Sequence, residues 1–270
     1  MIERLLVLKL DAVDCEAEAW LNGIPIARAH PGRPRVLLPV HEYTMTGDNQ
    51  LALMVWPYAA TMPPDKAPPQ QRVTATGRSS AHLRLLLPRT GKLADEGHAR
   101  TLGQIDWAPD AGQAHVAPLP LDQTLNLPIN FPRWRWIDAP AIDDSPALHA
   151  LVAEQTAAWA RQLSEGQPEA FLAAVRLRVE EIAAAYQRDA RTELDRLRSH
   201  LIELAEARRL DWLPFEPEGL VLRRVARGRL FECLRSDGTP WLQTKADADG
   251  RQLAWPLRLT AVEGRLYVLR

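Results

Sequence analysis

The chain has 270 residues, of which 46% are apolar and 25% are charged, and its formal net charge is -1. This composition is typical of a globular protein with one large domain or two ordinary ones. A near-neutral chain has no global field that would attract nucleic acid or an anionic membrane. We therefore expect neither direct nucleic-acid binding nor a membrane partner.

Targeting signals and covalent cross-links are also not expected. The first residues, "MIERLLVLKLDAVD", are too short and too polar for a signal peptide or a membrane span. The two cysteines, Cys15 and Cys233, are far apart in the sequence, which indicates two buried thiols rather than a disulfide framework. The expected compartment is the cytoplasm.

The sequence carries none of the common motifs for metal, nucleotide or nucleophilic chemistry. It has no CxxC, HExxH, P-loop, GxGxxG or GxSxG pattern, and its 7 histidines are scattered. We therefore predict no metal, no cofactor and no catalytic residue, and we interpret the protein as non-enzymatic.

Short strands separated by turns dominate the first half. Runs such as "RLLVLKL", "AEAWL", "RVLLPV" and "LALMVWP" are bounded by turn residues about every ten positions, a spacing typical of an antiparallel sandwich or barrel. Asn22-Gly23, between two alternating runs, is the strongest local signal for a tight hairpin. We predict a β-sandwich domain over residues 1–110.

Part of this region resembles a known family. "EAWLNGIPI", "VLLPV" and "TGDNQLALMVW", within residues 15–57, are similar to the jelly-roll sandwich modules attached to many glycoside hydrolases. The resemblance implies a sandwich fold, and carbohydrate binding is what such modules can perform.

Two proline-rich stretches follow. Residues 57–70, "PYAATMPPDKAPPQ", are predicted to form an exposed loop or a rigid arm, because proline interrupts helices and central strands. Residues 111–144, including "APLPLDQTLNLPINFPRWRWIDAP", are predicted to form an extended connector between two domains.

Helical patterns begin at about residue 145. Ser145 is a good N-cap, Pro146 suits the first helical turn, and Gly166 suits a helix end. A second helical pattern starts at Pro168 and continues for about forty residues, either as one long helix or as a helix kinked or broken near residues 188–192.

Strands return near the C-terminus, with tight turns predicted at Asp237-Gly238 and Glu263-Gly264. The predicted fold class is thus α+β: an antiparallel sandwich, then a domain over residues 145–270 of two helices, one long, followed by an antiparallel meander. The order of elements in this domain is similar to cystatin-like and nuclear-transport-factor-like cones, whose cavity would lie near Tyr186, Trp212 and Trp255.

Two groups of residues are candidates for binding a partner. In "FPRWRW", Trp and Arg alternate, and both types are enriched at protein interfaces. These residues are Arg133, Trp134, Arg135 and Trp136. The alternative is that one or both tryptophans attach the connector to the sandwich, with cation–π support from arginine. A second candidate is an acidic face near the N-terminus, formed by Asp11, Asp14, Glu16 and Glu18.

In general character the chain resembles the immunity proteins that Gram-negative bacteria keep in the cytoplasm against their own secreted toxins, including type VI effectors. This resemblance implies a protein partner, and an acidic face would suit a nuclease toxin with a basic cleft. One alternative is a small-molecule or carbohydrate-binding module or enzyme that uses the cone cavity. Another is a subunit of a larger assembly, and a homodimer through the long helix is compatible with each reading.

Overall fold

The computed structural model describes residues 5–57, 71–89 and 97–270. The chain divides into two compact units, Met1–Pro132 and Arg133–Arg270. The loop predicted over residues 57–70 lies, except for its first residue, outside the described residues.

The described residues of the first unit form ten strands in antiparallel pairs. They are β1 Val7–Val13, β2 Cys15–Leu21, β3 Ile24–Ala29, β4 Arg35–Pro39, β5 Gly47–Pro57, β6 Gln71–Thr74, β7 Ser80–Pro88, β8 Ala99–Trp107, β9 Ala114–Ala117 and β10 Leu119–Leu127.

Two four-stranded sheets form the sandwich. Their strand orders are β4-β1-β7-β8 and β10-β5-β2-β3, and β6 pairs with β9 in a separate ribbon. Alternate side chains of each sheet point inward, as Leu8 and Leu10 of β1 and Leu51 and Leu53 of β5 do, and all four are fully buried. The predicted antiparallel sandwich is confirmed.

The hairpin predicted at Asn22-Gly23 joins β2 to β3. Both residues have positive φ, 55° and 77°, as a type I′ turn requires. The Asn22 amide donates to Tyr43 O and Asn49 Oδ1, at 2.8 Å each, and its oxygen accepts from the Gln50 amide at 2.9 Å. Asn22 therefore fixes a corner of the sandwich to the neighbouring strand β5.

The structure has strands in much of residues 111–144, where an extended connector was predicted. Residues 114–117 and 119–127 are strands, and β10 pairs with β5 over its whole length, from Leu119 opposite Val55 to Leu127 opposite Gly47. Proline is tolerated here because β10 is an edge strand, whose outward N–H groups need no partner. The first unit therefore ends at Pro132, not near residue 110.

The second unit contains four helices: α1 Arg135–Asp138, α2 Pro146–Ser164, α3 Glu169–Ala185 and α4 Ala190–Glu206. As predicted, Ser145 caps α2, accepting a hydrogen bond from the Leu148 amide at 3.2 Å. None of the described helices is long and apolar enough to cross a membrane.

The long helical pattern is broken into α3 and α4 close to the stretch where a break was foreseen. Gln187 has a φ of 52°, and Asp189 starts α4 by accepting a hydrogen bond from the Thr192 amide at 2.8 Å. The chain doubles back, since Arg198 of α4 reaches Glu169 at the start of α3, at 3.1 Å. A single helix of about forty residues is therefore not present.

Six strands follow: β11 Leu220–Val225, β12 Leu230–Arg235, β13 Leu242–Gln243, β14 Ala254–Trp255, β15 Arg258–Val262 and β16 Arg265–Val268. Four of them form a sequential antiparallel meander in the order β11-β12-β15-β16, and the two-stranded ribbon β13-β14 interrupts it. Both predicted turns are present, with Gly238 at a φ of 81° and Gly264 at 72°. The predicted α+β class is confirmed.

Aromatic side chains fill the space between helices and meander. Trp241 is buried and donates to Thr156 Oγ1 at 2.8 Å, and the Trp212 and Trp255 rings pack 5.1 Å apart. Trp212 also donates to Ala160 O at 2.9 Å. Trp212 and Trp255, two of the three aromatics expected near a cone cavity, therefore pack against this core.

The apolar stripe of α4 belongs to the same core. Leu201 and Leu204 are buried, and Leu194 and Leu197 pack against the cluster. The stripe is thus covered within the unit, which removes the reason for expecting a homodimer through this helix.

Candidate partner-binding surface

The two tryptophans of "FPRWRW" are interior residues. Trp134 is 1% exposed and Trp136 is 4% exposed. The Arg270 guanidinium lies over the Trp134 ring, 5.5 Å from its centre, which is a cation–π contact. The interpretation of these tryptophans as exposed anchors is therefore wrong. The alternative foresaw a packing role with cation–π support, but it named the sandwich, whereas Arg270 belongs to the second unit.

The arginines of this segment also form hydrogen bonds and ion pairs within the second unit. The Arg135 main-chain N–H donates to Glu181 of α3, and its side chain donates to Glu180 at 3.0 Å. Glu181 also accepts from Arg270, whose side chain is fully buried. Arg133 pairs with Asp138 at 2.6 Å in a solvent-exposed contact whose hydrogen bond lowers the pKa of Asp138.

The four predicted acidic residues do not form one face. Asp11 lies on β1, and Glu16 and Glu18 lie on β2, which belongs to the opposite sheet of the sandwich. The outer faces of two packed sheets point in opposite directions. Asp14 is exposed at the turn between them, with a φ of 47°. The acidic face is thus a wrong prediction.

The acidic charges are also compensated locally. Arg28 donates to Glu16, and the Trp20 indole donates to Glu18 at 3.0 Å. Asp11 accepts from Arg35 and pairs with Lys9 at 3.2 Å. Partial burial alone would raise the pKa of Asp11, but these two cations lower it overall.

Asp11 belongs instead to an ordered group that we call the charged face. It occupies the outer face of the sheet β4-β1-β7-β8 and consists of Lys9, Asp11, Arg35, His82, Arg84, Gln104 and Asp106.

Strand register arranges the charged face in two rows. In one row, Arg35, Asp11, His82 and Asp106 stand opposite one another across all four strands. The second row contains Leu37, Lys9, Arg84 and Gln104, so two cations, Lys9 and Arg84, stand directly opposite each other. Neighbours of opposite charge stabilise the first row, whereas the like charges of the second row need the nearby carboxylates.

Asp106 connects the two rows. It accepts from His82 Nδ1 at 2.7 Å, from Arg84 at 2.6 Å and from the Gln104 side chain. Partial burial would raise the pKa of Asp106, but the hydrogen bonds from His82, Gln104 and Arg84 and the charge of Arg84 lower it to about 2. The carboxylate is therefore ionised throughout the physiological range.

The borders of the charged face add apolar and basic groups. Leu37 and Val13, on the same side of the sheet, are 51% and 52% exposed. The turn before β4 carries the exposed residues His30 and Arg33, whose main chains bond to each other at 2.8 and 3.2 Å.

Sequence reasoning missed the charged face, although a signal was present. In "AHLRL" of β7 and "GQIDW" of β8, polar residues occupy alternate positions, which predicts one solvated face. Which strands lie side by side is not contained in that pattern. His82 meets Asp106 only because β7 pairs with β8, and it lies beside Asp11 only because β1 inserts next to β7.

Among residues 5–57, 71–89 and 97–270, no group of three or more His, Cys, Asp or Glu is placed to hold a metal ion. Both cysteines are buried, and burial raises the pKa of the Cys15 thiol to about 12 and that of Cys233 further. Neither thiol is activated as a nucleophile at neutral pH.

Comparison with known proteins gives no relative. No family model, no curated protein and no solved structure matches the chain.

Proposed function

We propose that the protein is a non-enzymatic, cytoplasmic protein-binding protein, an immunity-type inhibitor that neutralises a cognate antibacterial toxin. The charged face is the observation that carries the proposal, and it replaces the tryptophan segment and the acidic group as the candidate contact surface. Its ion pairs hold long side chains in fixed positions next to the exposed Leu37.

Ordered charges of this kind suit protein recognition. Holding the side chains in place before binding lowers the entropy lost when a partner docks. Complementary charges chiefly supply specificity and fast association, and an apolar neighbour such as Leu37 supplies area that can be buried on contact.

The test is affinity capture of the tagged full chain in its native host, followed by native mass spectrometry. We expect one stoichiometric protein partner, lost or strongly reduced in the double variant Arg35→Ala/Leu37→Ala. The matched control Arg191→Ala/Val221→Ala removes an exposed arginine and an exposed aliphatic side chain from the second unit and should keep the partner. Equal loss in both variants, or no protein partner, would contradict the proposal.

The alternative is a small-molecule or carbohydrate-binding module. One observation favours it: Trp56, on the outer face of the second sheet, is half-buried beside Arg28, whose guanidinium lies 5.7 Å from the ring centre. An aromatic face next to fixed charges is a common element of ligand sites. A thermal-shift screen tests this reading, because a specific ligand raises the melting temperature, and Trp56→Ala should abolish that rise.

A further inference from the structure

We infer that the partner meets the charged face with carboxylate groups, so that the contacting segment is an acidic stretch of polypeptide. This inference rests on the proposed function and gives the partner's chemistry at the same surface. It reverses the charge expected from the sequence, where an acidic face was predicted to meet a basic cleft.

The first reason is the charge count. The charged face carries three permanent cations, Lys9, Arg35 and Arg84, against two carboxylates, Asp11 and Asp106. The borders add one charge of each sign, exposed Arg33 in the turn before β4 and exposed Asp14 after Val13. With these borders included, four cations oppose three acids.

The second reason is hydrogen-bonding capacity. The two carboxylates are already engaged: Asp106 accepts from three side chains and Asp11 from two. A carboxylate only accepts, whereas each arginine has five N–H donors. Arg84 donates to Asp106 and Leu83 O from one terminal nitrogen, but its side chain is only 14% exposed. The Arg35 side chain is 73% exposed, against 38% for Asp106 and 19% for Asp11, so the charged group that a partner reaches most easily is a donor.

The third reason is access. The Arg35 side chain is 73% exposed on the edge strand β4, next to the exposed Leu37 in sequence and on the same side of the sheet. Arginine binds carboxylates through two parallel hydrogen bonds, which supply geometry as well as attraction. An acidic segment with one apolar residue fits this border.

The experiment uses the full chain and three probes of similar length: poly-L-glutamate, poly-L-lysine and oligothymidylate. Binding is measured by microscale thermophoresis at low salt and again at physiological salt. We expect poly-L-glutamate to bind, and to bind about tenfold more weakly to Arg33→Glu/Arg35→Glu. Arg33→Glu alone keeps the Asp11–Arg35 pair and should show part of the loss. Arg191→Glu, the matched control in the second unit, should bind like the native chain.

Several results would overturn the inference. These are tighter binding of poly-L-lysine, equal binding of oligothymidylate (a general polyanion site), no binding, or an equal loss in Arg191→Glu. The proposed function is judged separately. If capture of a partner depends on Arg35 and Leu37 but Arg33→Glu strengthens it, the function stands and the acidic partner is rejected.

Discussion

The charged face of the first unit and the interior of the second unit use the same pair of residue types, arginine and a carboxylate, in different environments. In the first unit these pairs lie half-exposed on the charged face, as Asp106 shows at 38% exposed. In the second unit Glu181 and Arg270 are buried, and Glu232 joins the nearly buried Arg258 at 2.8 Å. Exposed pairs contribute little to stability, whereas breaking a buried pair is costly. Burial therefore distinguishes charges available for recognition from charges that hold the fold.

The largest expected effect is on the buried pair. Glu181→Ala removes the acceptor of both Arg270 and the Arg135 main chain, and we expect a loss of about 3–5 kcal/mol in the free energy of unfolding. Urea denaturation measures it. The control Asp195→Ala breaks the exposed pair with Arg198 and should cost less than about 1 kcal/mol. Similar losses in both variants would remove the contrast between the two environments.

The corner at Asn22 comes next. Asn22→Ala places a side chain without local hydrogen bonds at a positive φ and leaves the Gln50 amide without its acceptor, so we expect a loss of about 1–3 kcal/mol. Asn22→Asp keeps an acceptor oxygen and the tolerance for this backbone conformation, but it sets a buried carboxylate oxygen against Tyr43 O and Asn49 Oδ1, so we expect a loss at least as large. If both variants unfold at the same urea concentration as the native chain, the hydrogen bonds of Asn22 do not stabilise this corner.

A smaller effect concerns pH. Asp106 has a pKa of about 2 in the folded chain against 3.8 for the free side chain, so its stabilisation is present above about pH 4 and is lost as the pH falls toward 2. Because the group is 38% exposed, solvent screening keeps the contribution below about 1 kcal/mol. Asp106→Asn should therefore flatten the dependence of stability on pH between 4 and 2, measured by thermal unfolding across that range. An unchanged slope would contradict the hydrogen-bonded arrangement.

The smallest effect on stability is expected at the surface that matters most for binding. Arg35→Ala should change the free energy of unfolding by about 0.5 kcal/mol or less, because the side chain is 73% exposed, while it weakens partner capture. Calorimetry and capture on the same sample separate the two quantities. A large loss of stability would mean that the exposed pairs hold the fold as the buried ones do.

Local signals predicted much of the fold and little of the candidate site. Asn22-Gly23, Ser145 and the break near Arg188 each act within a few residues, so the sequence around them contains the relevant physics. The charged face depends on pairing between strands far apart in the chain, such as Asp11 with His82. The burial of Trp134 likewise depends on Arg270, which lies more than a hundred residues away.

The strand β10 has a practical consequence for dividing the protein. It covers one side of β5 and brings the buried side chains Leu125 and Leu127 into the sandwich. A fragment ending at residue 110, where the sequence alone suggested a boundary, would leave β5 with a row of unpaired N–H and C=O groups beside an uncovered apolar surface. Such open edges pair with other chains and aggregate. Cutting between Pro132 and Arg133 keeps both the strand and its side chains with the sheet they complete.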